Sequence, residues 1–224
     1  MAKSKFEFLT KTFILFILSL IAISCGTENE IISTHEHKKA LPKNDSAELK
    51  NENWKLATFA GGCFWCMEPP FEKEDGVISA ISGYSGGEIV DPSYQEVSSG
   101  LTKHREVVQV TFDPNKISYN ELVEIFWRSI DPTDEGGQFA DRGFQYSTAI
   151  FVHNDEQRAI AEASKHELGK NGPFPKPIIT PILDYKNFYA AEEYHQDYYL
   201  KNPEHYKRYR KGSGREAFLE QIWN

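Results

Sequence analysis

Cys63 and Cys66 are the residues of this 224-residue chain best suited to chemistry. They lie in Gly61-Gly62-Cys63-Phe64-Trp65-Cys66, between a run that reads as a strand and a segment that reads as the start of a helix. A cysteine at a helix N-terminus meets backbone N–H groups that lack partners and the positive end of the helix dipole. Both favour the thiolate, the nucleophilic form. The paired glycines permit a tight turn that exposes the sulfur. Cys66, one helical turn on, shares the face of Cys63 and lies within disulfide reach. The spacing alone also suits a thioredoxin-like disulfide oxidoreductase, or a local clip or zinc half-site on a non-enzymatic protein. A zinc site needs about four ligands, and only two sulfurs are offered.

Glu106 is the second candidate. It is in register with Val108, Val110 and Phe112, on the strand face that alternation assigns to the core. On general grounds such a carboxylate belongs at the exposed end of the strand. Partly buried, it would instead be a proton donor at neutral pH.

The elements that must position these groups are readable in outline. Lys55 to Ala60 reads as a strand, and residues 76–83 as a second that runs into a turn at Tyr84-Ser85-Gly86-Gly87. Glu106 to Phe112 is the clearest strand, closed by Asp113-Pro114. Pro69-Pro70 requires that the helix after Cys63 be kinked or restarted. Ser118 and Glu121 form a capping box for a helix carrying Leu122, Ile125, Phe126 and Ile130, which stops before Asp131-Pro132. Thr148 to His153 is a further strand. Asn154 or Asp155 then caps a helix to about Leu168, ended by Gly169 or Gly172. Residues 178–183 read as an edge strand because of Pro181. Ala190 to Leu200 reads as a last helix, with a largely irregular tail from Pro203 to Asn224. Strands and helices mix without βαβ alternation, which points to an α+β fold with helices against one sheet.

Composition narrows the function class. With 40% hydrophobic and 26% charged residues the chain can build a core, so disorder throughout is excluded. The net charge is -8, and no basic stripe interrupts it, which argues against nucleic-acid binding. Lys3, Lys5 and Lys11 precede a short apolar stretch, Phe13 to Ile23, too brief to span a bilayer comfortably. It ends in Ala22-Ile23-Ser24-Cys25, which resembles a bacterial lipobox with Cys25 as the acylated residue. Residues 1–25 are thus expected to be a lipoprotein signal peptide and 26–52 a polar tether, with the folded domain at 53–224. The expectation is an exported protein, lipid-anchored to a bacterial membrane. Two thiols so close together in such a protein serve chemistry or a local clip, not a disulfide scaffold.

Gly61-Gly62-Cys63-Phe64-Trp65-Cys66-Met67-Glu68 resembles the GCFW-x-x-E signature of the A-type methionine sulfoxide reductases. The resemblance continues through Gly83-Tyr84-Ser85-Gly86-Gly87, Pro92-Ser93-Tyr94-Gln95-Glu96-Val97 and Ser99 to Glu106. It resumes at Asp131-Pro132-Thr133, Gln138 to Tyr146 and Ala191 to Tyr199, so that ordered motifs cover nearly all of residues 55–215. It implies a two-layer α+β sandwich, the ferredoxin-like α/β roll of that family, with a mixed central sheet flanked by helices. It also implies thiol-dependent reduction of free or peptidyl methionine (S)-S-oxide, with no cofactor and no metal. By the same resemblance Cys63 attacks the sulfoxide sulfur, and Glu106 protonates its oxygen with help from Tyr94 and Tyr146. Asp141 is a second carboxylate of the polar site, and Phe64 and Trp65 pocket the substrate methyl group. The Cys63 sulfenic acid must then be reduced by a thiol. No cysteine follows Cys66, so Cys66 is the internal candidate for resolving it. The alternative is direct attack by an external thioredoxin-like reductant. Expected partners are that reductant, oxidised proteins and the membrane, with the protein a monomer. The tyrosines Tyr194, Tyr198, Tyr199, Tyr206 and Tyr209 read as structural, His195 as a core or rim residue, and His104 as structural.

Overall fold

The structure, a computed structural model, describes residues 53–223. The expectations for residues 1–52, the lipobox cysteine among them, lie outside the described residues.

The sheet is built around β1 (Lys55–Ala60), which pairs antiparallel with two later strands. Cys63 follows its end by three residues and occupies the N-cap position of α1 (Phe64–Glu72), its side chain making no capping bond. The helix continues through Pro69 and Pro70. Strand β2 (Val77–Ser85) starts one residue later and runs two residues further than the sequence suggests: Tyr84 and Ser85 pair with Glu106 and Arg105, and the turn begins at Gly86. The reason is burial, since the Tyr84 ring is fully enclosed and its hydroxyl donates to Glu192 at 2.8 Å. Short α2 (Tyr94–Ser98) leads to β3 (Arg105–Phe112), which lies between β1 and β2.

Helix α3 (Tyr119–Trp127) starts with the expected capping box, Ser118 and Glu121 each satisfying the other's backbone N–H. A small hairpin of β4 (Gly137–Gln138) and β5 (Asp141–Arg142) follows, then a 3-10 turn at Phe144–Tyr146 and β6 (Ala149–Val152). Helix α4 (Asp155–Asn171) is capped by Asn154 and ends at Gly172. Strand β7 (Ile182–Asp184) starts just after Pro181 and lies at the sheet edge, parallel to β6. It occupies a later and shorter stretch than residues 178–183.

The segment expected as a last helix is different. It forms β8 (Tyr189–Ala190), a 3-10 turn at Glu193–His195 and one turn of α5 (Tyr198–Lys201). Gln196 accounts for this. Its amide accepts from the Ser82 N–H at 3.0 Å and donates to the Ser82 carbonyl at 2.8 Å, so a side chain takes the place of a neighbouring strand. Glu192 likewise turns inward. Both groups are tied to β2 and α2 by these bonds, in place of continuing a helix. The tail is not irregular either. It forms α6 (Pro203–Gly212) and α7 (Arg215–Trp223), with Pro203 in the first turn of α6, where a missing N–H costs nothing.

The sheet order is β7-β6-β1-β3-β2-β8, antiparallel except for β6 with β7. One face carries Ala57, Phe59, Ala80, Val108, Val110 and Phe112 and is covered by α1, α3 and α4. There the Phe59 ring stacks on Phe71 at 5.1 Å and on Phe126 at 5.2 Å. The other face carries Ala60, Val107, Ala149 and Phe151, packed by Leu183, Tyr185 and Phe188. This is the α+β layering expected from the sequence.

Candidate active site

The site forms where β1 hands over to α1, beside β3. Gly62 sits at φ +85°, and a Cβ there would come within 2.6 Å of Gln138 Cβ and 2.8 Å of an Arg215 nitrogen. Only glycine fits. Cys63 and Cys66 are both free and buried, at 6% and 1% exposure, and hydrogen-bond to each other. Burial pushes the Cys63 thiol up, reinforced by its bond to Cys66 and by the charges of Glu106 and Asp141. Cys66 is lowered to about 7, first because the Cys63 S–H donates to it, with Arg215 and Arg210 assisting against burial. The bond from Cys63 to Cys66 thus favours ionisation of Cys66 and opposes that of Cys63. The helix N-terminus alone does not make Cys63 a thiolate. Burial and two neighbouring carboxyls outweigh it.

Glu106 is not at an exposed strand end: it is 2% exposed. β3 aims it at the first turn of α1, where it accepts the Phe64 N–H at 3.1 Å. Burial raises its carboxyl to about 8, the Phe64 hydrogen bond opposing and the Asp141 charge adding. It is a neutral acid at pH 7, the alternative that alternation allowed and that the ordinary exposure of carboxylates had outweighed.

Two phenols face it. Tyr94 begins α2, and its own N–H is held by Glu192 at 2.8 Å. Tyr146 ends the 3-10 turn, and Gln145 ties that turn to α2 through the Ser98 carbonyl at 3.0 Å. The two hydroxyls hydrogen-bond to each other. Burial pushes both up, and the Glu106 charge adds, so both remain donors. Burial opposes ionisation of Glu192, yet bonds from the Tyr94 N–H, its own backbone and the Tyr84 hydroxyl hold it below the usual range.

Asp141 enters from the β4–β5 hairpin, whose base is closed by the Arg142–Asp134 ion pair. Burial raises its carboxyl. Phe64 is fully buried against Tyr84 and His195. Trp65 is half-buried, stacks on Tyr198 at 3.7 Å and donates through its indole N–H to His195 Nδ1 at 3.1 Å. His195 is thus a buried positioning group. His104 straps the loop after β2, accepting from the Gly87 N–H and bonding the Ile89 carbonyl.

Cys63, Cys66, Phe64, Trp65, Tyr94, Glu106, Asp141 and Tyr146 are thus gathered in one place. Cys25 lies outside the described residues. Two further residues join them, both from the tail read as irregular. The Tyr209 hydroxyl on α6 donates to Asp141 Oδ2 at 2.5 Å and is also in hydrogen-bond reach of Cys63. The buried guanidinium of Arg215 on α7 donates to the carbonyls of Gly61 at 2.9 Å and Ser129 at 2.5 Å, and lies over the Phe139 ring at 4.6 Å. Pro203 after Asn202, with Tyr206 and Tyr209 three residues apart, was the available signal for that helix. Among the described residues, Glu68, Glu72 and Asp197 bring carboxylate oxygens within 4.8 Å of one another. They tie α1 to α5: Glu68 accepts from the Asp197 N–H and Glu72 from the Tyr199 hydroxyl.

A sequence model of the peptide methionine sulfoxide reductases matches residues 55–224. This chain belongs to that family. A reductase of the A type from Bacillus pumilus is 58% identical over 174 residues, covering 78% of this chain and 98% of that protein. One from Staphylococcus aureus is 53% identical over 169 residues, 75% of this chain and 96% of that one. Among solved structures, Saccharomyces cerevisiae Mxr1 in reduced form shares 37% identity at a TM-score of 0.63, over 69% of this chain and 88% of its own. The Corynebacterium diphtheriae methionine sulfoxide reductase A shares 31% at 0.62, over 69% and 77%. The family makes the chain an oxidoreductase, a peptide-methionine (S)-S-oxide reductase.

Proposed function

We propose that the reduction is carried by Cys63 as nucleophile and Glu106 as acid. The observation that supports this most is the buried Glu106 carboxyl, neutral at pH 7 and bonded to the residue next to Cys63. A sulfoxide is a poor electrophile until its oxygen takes up a proton, so a neutral acid beside a sulfur nucleophile is the pair the reaction needs. Passing the Cys63 proton across to Cys66 leaves the attacking thiolate. Attack moves the oxygen from the substrate sulfur to Cys63, with the Glu106 proton, and methionine departs. Tyr94 and Tyr146 donate to the same oxygen, Phe64 and Trp65 wall the methyl group, and Asp141 lines the polar side. Cys66 attacks the Cys63 sulfenic acid, water leaves, and an external thioredoxin-like dithiol reopens the disulfide. The support for Cys66 is its contact with Cys63 and the absence of any later cysteine from the sequence. Acylation of Cys25, an exported, membrane-anchored location and a monomeric state belong to the same proposal and rest on the sequence.

The test is reduction of separate S- and R-epimers of peptidyl methionine sulfoxide with dithiothreitol. Turnover of the S-epimer alone, abolished in Cys63→Ser, is the expected result. Full activity in Cys63→Ser would overturn the assignment. Disulfide exchange without sulfoxide reduction would instead favour the thioredoxin-like reading.

A further inference from the structure

Helix α6 places a phenol against the nucleophile that none of the signature motifs contains. Among the described residues, groups from six elements act on Cys63. Cys66 is on α1, Glu106 on β3, Tyr94 on α2, Asp141 on β5, Tyr146 in the 3-10 turn and Tyr209 on α6. Glu106 and Asp141, when charged, oppose a thiolate. Tyr94 and Tyr146 bond to each other and feel the Glu106 charge above that of Cys63. Tyr209 has a different set of partners: one O–H, with Asp141 Oδ2 at 2.5 Å and the Cys63 sulfur as its two acceptors. Its ring is held edge-on to Trp65 at 5.9 Å. Burial, the Cys63 and Asp141 charges and its hydrogen bonds push its ionisation up, so it serves as a donor and never as a base.

We infer that Tyr209 is a further catalytic residue of this reductase, whose O–H turns from Asp141 to the Cys63 sulfur when that sulfur becomes the thiolate. The inference rests on Cys63 being the nucleophile. The Tyr209 proton is not consumed. The Cys63 thiolate, the sulfoxide and the Glu106 proton give methionine and the Cys63 sulfenic acid, with Cys63 oxidised and the substrate sulfur reduced by two electrons. Asp141 holds the same proton while Cys63 is an S–H, so one residue serves both protonation states of the nucleophile.

The experiment follows iodoacetamide labelling of Cys63 against pH in the full chain, read by mass spectrometry on the tryptic peptide 56–73 in a Cys66→Ser background. A charge-assisted hydrogen bond to the thiolate corresponds to about ten- to a hundredfold in its formation. Tyr209→Phe is therefore expected to move the labelling midpoint up by about one pH unit or more, and to slow single-turnover sulfoxide reduction at pH 7 at least about tenfold with little change in KM. An unchanged midpoint would overturn the inference. Tyr209→Phe also leaves the Asp141 carboxylate without its donor. Should that prevent folding, Asp141→Asn and the Asp141→Asn/Tyr209→Phe double variant repeat the comparison without an orphaned charge. The double variant is expected to have the higher midpoint, and equal midpoints would count against Tyr209. Labelling needs no substrate. Absence of sulfoxide reduction by the unmodified chain would thus sink the enzymatic reading while leaving the Tyr209 test intact.

Discussion

Glu106→Gln isolates the proton from the shape of the site. The amide oxygen of Gln still accepts the Phe64 N–H, and its NH2 still offers a hydrogen bond to the sulfoxide oxygen; only transfer of the proton is lost. General acid catalysis contributes about 10²–10⁴-fold, and because a donor remains the lower end is expected, a loss of about a hundredfold at pH 7. The pH profile is the sharper reading. With its carboxyl at about 8, Glu106 is protonated in roughly nine-tenths of molecules at pH 7 and roughly one-tenth at pH 9. The unmodified enzyme should lose about tenfold in single-turnover rate between those values, and Glu106→Gln should show no such alkaline limb.

Stability gives an independent check. In the unfolded chain the carboxyl ionises near 4.5, and in the folded protein near 8. A group raised in this way contributes fully below 4.5, and its contribution is lost as pH rises through 8. Across that window the loss is on the order of 5 kcal/mol at about 1.4 kcal/mol per pH unit. Glu106→Gln has nothing to ionise. It should be more stable than the unmodified protein at pH 8, and the difference should close near pH 4.5, as read by denaturant unfolding at each pH. A variant that keeps near-full activity and an alkaline limb, with no stability crossover, would refute the neutral-acid argument.

Cys66→Ser should form one methionine per chain at an undiminished yield, keep turning over with dithiothreitol, and stall with a thioredoxin-type donor. Continued multiple turnover with that donor would remove Cys66 from the cycle. Arg215→Ala leaves the Gly61 and Ser129 carbonyls without their buried donors and should cost about 2–4 kcal/mol in urea unfolding. A loss under 1 kcal/mol would mean that water replaces the guanidinium. It should also move Cys66 labelling to higher pH, because a cation that favours that thiolate is gone. Ser118→Ala breaks a capping box far from the chemistry and should cost about 1 kcal/mol, or about 2–4 °C in thermal midpoint, at unchanged turnover.

Local signals were legible wherever they answer a local need. Ser118 and Asn154 mark helix starts because an orphan N–H must be bonded within three residues, and β3 shows in its alternation. What escaped depends on partners distant in sequence. Alternation put Glu106 on the core face, but nothing near it told that Phe64 would cap it in a dry site instead of leaving it in water. Tyr84 looked like a turn residue until Glu192, 108 positions later, took its hydroxyl. The stretch from Ala190 to Leu200 has helix-forming composition, and Gln196 overrides it by bonding to Ser82. The chemical residues that match the signature could be named in advance. Tyr209 and Arg215 could not, because their meaning lies in the loop they close, 146 and 154 residues earlier.

The closing of that loop by the last two helices bears on how the protein can be switched off. Trimming by a protease near residue 201 would leave the thiols, Glu106, Tyr94, Asp141, Tyr146 and every quoted motif in the remaining chain. It would remove Tyr209, the donor beside Cys63, and Arg210 and Arg215, the cations that favour the Cys66 thiolate. Such a fragment would score as a complete reductase in any census of motifs, yet lack part of its machinery. Loss of α6 and α7 would therefore be visible by intact mass and invisible to a signature.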